Sequence, residues 1–181
     1  MNIKNLFPTF KSVEVNLSTG LRIGHMLAQH KFSYAKTDAK PYVENGVFFR
    51  VSKEKPDTLV LSDDSNAVGP YFMHYTEELF TNGFVEGLKY FALEADEEGE
   101  NYVCYPRVIA LYAGDTFTTD NFTGDLDTAK FAKVGAKGVL QLSATMPTEE
   151  GPVFQAVKTT MPNGDKAVQV TVIDPMQKAA A

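Results

Sequence analysis

Tryptophan is absent from this 181-residue chain, and cysteine occurs once, at Cys104. A lone thiol excludes an intrachain disulfide and a cysteine-based zinc site. With only Arg107 as a basic neighbour, it reads as a buried thiol rather than a nucleophile. Histidine is scarce too, at His25, His30 and His74. These form no H-E-x-x-H, and the spacing of His25 and His30 does not bring both to one helical face. No G-x-S-x-G elbow, dinucleotide fingerprint or P-loop occurs, and the many carboxylates fall in no pattern that implies acid–base work. The expectation is a protein that is not an enzyme and uses no cofactor and no metal. No run of eighteen apolar residues is present, so no membrane-spanning helix is expected. Met1–Lys11 carries two lysines with no apolar stretch behind them, unlike a secretory signal. A cytosolic origin fits best.

What the chain has in quantity is phenylalanine and tyrosine, thirteen and eight, a balance that suits strands. A hydrophobic content of 44% indicates a packed core rather than disorder. The net charge of −6 is unevenly spread. Residues 1–40 carry six Lys/Arg against two Asp/Glu, whereas residues 57–100 carry Lys89 alone against eleven acids. That acidic stretch argues against nucleic-acid binding, which needs a basic surface.

Period-two patterns divide the chain into an N-terminal arm with the first strands (1–40), a small β-rich module (41–100) and a C-terminal barrel or sandwich (101–176). Residues 177–181 read as a tail of the kind an expression vector adds. Phe7 and Phe10 flank Pro8-Thr9, and Val13, Val15 and Leu17 alternate with polar residues as in a half-buried strand. Leu21–Lys31 fits a strand with a loop or a short helix, and Gly24 favours the former. Asn45-Gly46 signals a hairpin inside Pro41–Ser52. Thr58–Leu61 is a strand, Asp63–Asn66 a polar loop and Gly69-Pro70 a turn. Tyr71–Phe80 fits strand or helix, Gly87–Ala95 a strand, and Asp96–Glu100 a charged loop. The stretch Tyr102–Gly124 joins an apolar strand, Val108–Tyr112, through a break at Gly114-Asp115 to a polar strand carrying Phe117 and Phe122. Phe131–Val134 and Val139–Ser143 flank Gly135–Gly138. That loop matches the G-x-x-G of a nucleotide clamp, but between two strands it reads as a hairpin turn. Val153–Thr160 and Lys166–Ile173 form a last pair, with Val168, Val170 and Val172 on one face. Asp63–Asn66 and Asp120…Asp125…Asp127 offer oxygen ligands, but without the spacing of a calcium loop; turn chemistry accounts for them. The expected fold is mainly β: a barrel or sandwich C-terminal module, a β-rich N-terminal module and an extended N-terminal arm.

The segments R-V-I-A-L-Y-A-G-D-T-F-T-T-D-N-F-T-G, K-F-A-K-V-G-A-K-G-V-L-Q-L-S and F-Q-A-V-K-T-T-M-P-N-G-D-K-A-V-Q-V-T-V resemble small structural proteins of tailed bacteriophages. In that group a β-rich domain decorates or cements the capsid shell. The resemblance implies a virion location on the capsid surface. It implies two partners, the major capsid protein and further copies of the chain as a homo-oligomer, with no nucleic acid and no membrane. Contact through the arm would bury Leu6, Phe7 and Phe10, with Phe117 and Phe122 as further partner-binding residues. Two other readings stay open. One is a tail, collar or receptor-binding part of the same particle. The other is a barrel that grips a small ligand or glycan with a concave cluster drawn from Tyr71, Tyr75, Tyr90, Tyr102, Tyr105 and Tyr112.

Overall fold

The computed structural model describes residues 11–15, 26–27, 30–36, 42–75, 93–162 and 164–177. Within them the regular secondary structure is almost wholly strand, arranged as two sheets, one of them curled into a half-barrel, and a short ribbon. The mainly β expectation holds.

The seven-stranded sheet is built on its two longest strands, β16 (Gly151–Thr160) and β17 (Lys166–Gln177), an antiparallel hairpin. Alternation decides their faces. Phe154, Ala156, Val168, Val170 and Val172 point inward and are buried, while Val157 and Ile173 point out. A bulge at Val153/Phe154 lets two consecutive apolar residues both bury. Outward from β17 lie β12 (Thr116–Thr119) and β1 (Val13–Val15); outward from β16 lie β14 (Phe131–Val134), β15 (Leu140–Ser143) and β13 (Phe122–Thr123).

The eight-stranded sheet runs β2 (Met26–Leu27), β11 (Val108–Ala110), β7 (Ala67–His74), β5 (Phe48–Ser52), β6 (Thr58–Leu61), β3 (Lys31–Ala35), β10 (Asn101–Cys104) and β9 (Asp96–Glu98). Its centre, β5 paired with β7, is buried on both faces. Phe48 and Phe49 are consecutive, so they point to opposite sides, and neither has any exposed surface. Phe48 faces the other sheet, with its ring 5.8 Å from Phe154 and 6.4 Å from Phe117. Phe49 faces the second core, 4.8 Å from the Phe32 ring. Their cross-strand partners Met73 and Phe72 divide in the same way. One core therefore fills the space between the sheets. The other, with Phe32, Leu59, Cys104 and Val108, lies behind and is covered in part by Val43 and Ala95, which lie in and beside the ribbon of β4 (Tyr42–Val43) and β8 (Leu93–Glu94).

Four readings are corrected. Asn45-Gly46 turns, but β4 pairs with β8 rather than with β5, because the Asn45 and Gly46 backbones are committed elsewhere: the Gly46 N–H donates to the His74 carbonyl. Gly69-Pro70 does not end a strand; it forms an irregularity within β7, where the register to β5 shifts between Phe49 and Val51 and Gly69 takes φ +76°. Asp96–Glu98 is a strand rather than a loop, held by pairing with β10. As an exposed acidic edge it discourages further strand addition. The sheets also divide the chain differently from the three expected segments. Residues 101–110 belong with the earlier strands, while β1 joins the later ones, since β10 and β11 find their partners in β3 and β7. Of the remaining readings, Leu6, Phe7, Phe10, Tyr90, most of Gly87–Ala95 and the second half of Tyr71–Phe80 lie outside the described residues.

The turn Ala136–Gly138 docks onto the central wall. A Cβ at Gly138, where φ is +72°, would run into the Phe48 carbonyl oxygen. Gly138→Ala is expected to lower unfolding free energy by about 2–3 kcal/mol, from strain plus the clash. Gly99→Ala, at a positive φ with open space around it, should cost only about 1 kcal/mol. Urea denaturation of the two variants checks this; equal losses would show that the turn carries no special load.

Candidate functional site

Phe117 is fully buried, against Phe48 and Phe154 at 6.4 and 6.1 Å between ring centroids. It serves the core and offers no surface to a partner. Phe122 is half-buried and packs at the rim of the same core, beside Leu140. Of the tyrosines, Tyr71 and Tyr75 lean on the inter-sheet core, Tyr102 on the rear core near Tyr34, and Tyr105 and Tyr112 are exposed. They do not share one concave cluster.

The surface that the sequence reading missed is the outer face of the seven-stranded sheet. Cross-strand register places Thr116, Thr171, Gln155, Phe131 and Ser143 side by side across five strands. The neighbouring row is Thr118, Gln169 and Val157. The longer row holds no ionised residue, with Thr116 at its end buried, and the shorter row continues to Glu14 of β1, opposite Thr118. At strand spacing the longer row spans about 19 Å. Val157 is 53% exposed and Ile173, further along β17, is 41% exposed. Exposed sheet faces can carry Lys and Glu freely, whereas the centres of protein interfaces are depleted of charge. The signal was present in the alternation of β16 and β17, but only the register assembles it into a band.

At one edge of this sheet, where β1 pairs with β12, lies a buried polar joint. The Ser12 N–H donates to Asp120 Oδ1 at 2.7 Å, and the Thr119 hydroxyl donates to the Ser12 carbonyl at 2.7 Å. Asn121 Nδ2 donates to the Asn45 carbonyl at 2.9 Å, which ties the sheet to the loop before β5. Beneath it His74 is fully buried, its Nδ1 2.9 Å from the Glu44 carbonyl. Burial lowers its pKa to about 4, against a smaller raising effect of that hydrogen bond. Lys11, the first described residue, donates its N–H to Glu44 Oε1 at 3.0 Å.

The acidic loops use their oxygens locally. Asp64 Oδ1 accepts from the Asn66 N–H, Asp125 accepts from the Asp127 N–H and the Thr128 hydroxyl, and Asp127 pairs with Lys158. Among the described residues no three His, Cys, Asp or Glu side chains gather as metal ligands. Cys104 is buried, and desolvation pushes its thiol up to about 12. Among the described residues no helix is long and apolar enough to cross a membrane.

His74 gives a stability test. Its folded pKa lies below the unfolded value of about 6.5, so the unfolded chain binds more protons between those values. Its contribution is complete above pH 6.5 and is lost as pH falls towards 4. Wild type should lose about 3 kcal/mol more than His74→Gln across that interval. Chemical denaturation at a series of pH values checks it; parallel slopes would refute the assignment.

Comparison with protein-family models, with curated proteins and with solved structures returns no match to this chain.

Proposed function

We propose that this chain is a structural protein of a tailed-phage particle, a decoration or cement protein that lies on the assembled capsid shell and stabilises it. The observation that supports this reading is the band of Thr, Gln, Phe and Val, uncharged between β12 and β15, on the outer face of the seven-stranded sheet. Such a face meets another protein without stripping water from buried charges. Binding the shell but not free capsid subunits would stabilise the assembly by mass action.

Size decides how much the band does alone. About 19 Å across and about 13 Å along β17 gives roughly 250 Å², against roughly 800 Å² per partner in a stable interface. Other segments must contribute, and the aromatic arm is the natural one. Leu6, Phe7 and Phe10 precede the described edge at Lys11, and each buried aromatic would contribute on the order of 2 kcal/mol. Phe122 lies half-buried at the sheet rim as a further contact. The major capsid protein and neighbouring copies of the chain are the partners in this reading, with symmetry multiplying each contact.

The full chain should pellet with empty heads. Removal of residues 1–10 and, separately, Val157→Lys should each weaken that binding by about tenfold, the equivalent of 1.4 kcal/mol. Co-sedimentation measures both. Unchanged binding in both variants would remove the arm and the band from the interface. Electron microscopy showing copies confined to one vertex would reassign the chain to the tail or collar.

A further inference from the structure

The polar joint at the sheet edge is held by one short segment, Tyr42–Gly46, and that segment is fastened to a single residue. His74 has no exposed surface. Its N–H donates to the Val47 carbonyl at 2.7 Å, and its carbonyl accepts from the Gly46 N–H at 2.9 Å. Its ring Nδ1 lies 2.9 Å from the Glu44 carbonyl and must carry the proton there, since a carbonyl only accepts. The ring stands edge-on to Phe49, with centroids 6.5 Å apart, on the rear-core side of the wall.

Contacts lead outward from the same segment to β1. Glu44 Oε1 accepts from the Lys11 N–H, and the Asn45 carbonyl accepts from Asn121 Nδ2. Gly46 leaves the space that Val13 fills, since a Cβ there would come within 2.8 Å of the valine. The seat of β1 on β12 is thus built against residues that the imidazole holds. On its other side the segment starts in the ribbon, where β4 and β8 share only the pairs Tyr42↔Glu94 and Val43↔Leu93. A two-stranded ribbon of that length has marginal stability of its own. The other described strands around the ring, β5, β7 and β11, are each paired on both sides. The ribbon segment is therefore the part of the cover that yields first.

A charged imidazole supplies the force. Burial disfavours the charged ring, and the Glu44 carbonyl favours it by a smaller amount. The charged residues on the surrounding described elements do not take the place of water. The Glu44 and Asp120 carboxylates accept from the Lys11 and Ser12 N–H groups, Glu94 lies on β8, and Arg50 and Arg107 are cations. A ring that gains a proton is stabilised by reaching solvent.

We propose that Tyr42–Gly46 is an acid-operated latch: a proton on His74 lifts the segment from the wall and frees β1 from the β12 edge, while the paired sheets stay folded. The direction follows from linkage. The closed ring has a pKa of about 4 and an exposed one about 6.5, so opening takes up a proton as pH falls between those values. The proposal does not depend on shell binding.

The test is amide hydrogen exchange of the full chain by NMR at pH values from 7 to 5, with and without urea below the unfolding transition. Each rate is divided by the intrinsic rate at that pH. The Gly46, Ser12 and Asp120 amides should open about twentyfold more readily at pH 5 than at pH 7, through a step that low urea barely changes. Ala156 and Val172, bonded to the Lys130 and Asp115 carbonyls, should stay better protected and respond to urea. His74→Gln should abolish the pH dependence of the three latch amides. Glu44→Gln and Asp120→Asn, which keep their acceptor oxygens, should each retain it. If His74→Gln fails to fold, the two carboxylate variants decide by elimination. The latch is overturned if either of them loses the pH dependence, if His74→Gln keeps it, or if the latch amides share the urea dependence of Ala156 and Val172.

Discussion

The structure depends on one pair of strands that must be dry on both faces. Phe48 and Phe49 of β5, with Met73 and Phe72 opposite them on β7, divide the apolar interior into two compartments, and neither compartment closes without this wall. A sheet with one wet face tolerates polar residues at every second position; this pair does not. Removing either aromatic side chain from so packed a site would leave a cavity and cost about 3–5 kcal/mol. The tight seat of Gly138 on the Phe48 backbone extends the same constraint into the β14–β15 hairpin.

Apolar packing alone would leave the two sheets free to slide, because hydrophobic contact is not directional. The polar joint around Ser12, Asn45, Asp120 and Asn121 supplies direction. Its hydrogen bonds join residues more than seventy positions apart, and each is buried, so a shifted register would leave several groups unpaired at once. Gly46 belongs to this joint: a side chain there would press on Val13 at 2.8 Å. His74, neutral beneath it, makes the joint dependent on pH. The exposed ion pairs Lys31–Glu98, Lys36–Glu97 and Lys133–Glu149 add little by comparison, since water screens them. Their role at β9 is to present a charged edge.

A rigid two-compartment body suits a protein that works by its surfaces. The band on the seven-stranded sheet is fixed by strands rather than by long loops. A partner meeting it finds groups already in position, with little ordering cost to add to binding.

Local alternation in the sequence determined the mainly β character, the β14–β15 and β16–β17 pairs and the inward set Val168, Val170 and Val172, because side-chain direction in a strand follows from period two alone. It also determined that Cys104 would be an isolated thiol. Which of the other strands lie side by side was beyond it. Phe48-Phe49 looks the same whether one or both faces are covered, Asn45-Gly46 looks like a hairpin turn until its backbone is found bonded to His74 and Asn121, and Asp96–Glu98 looks like a loop until β10 pairs with it. Phe117 and Phe122 read alike as candidate contact residues, yet one is core and the other rim. The uncharged band and the seating of the His74 ring exist only in three dimensions. Both arise from hydrogen bonding and packing between distant segments, and such long-range pairing leaves no periodic mark on the chain.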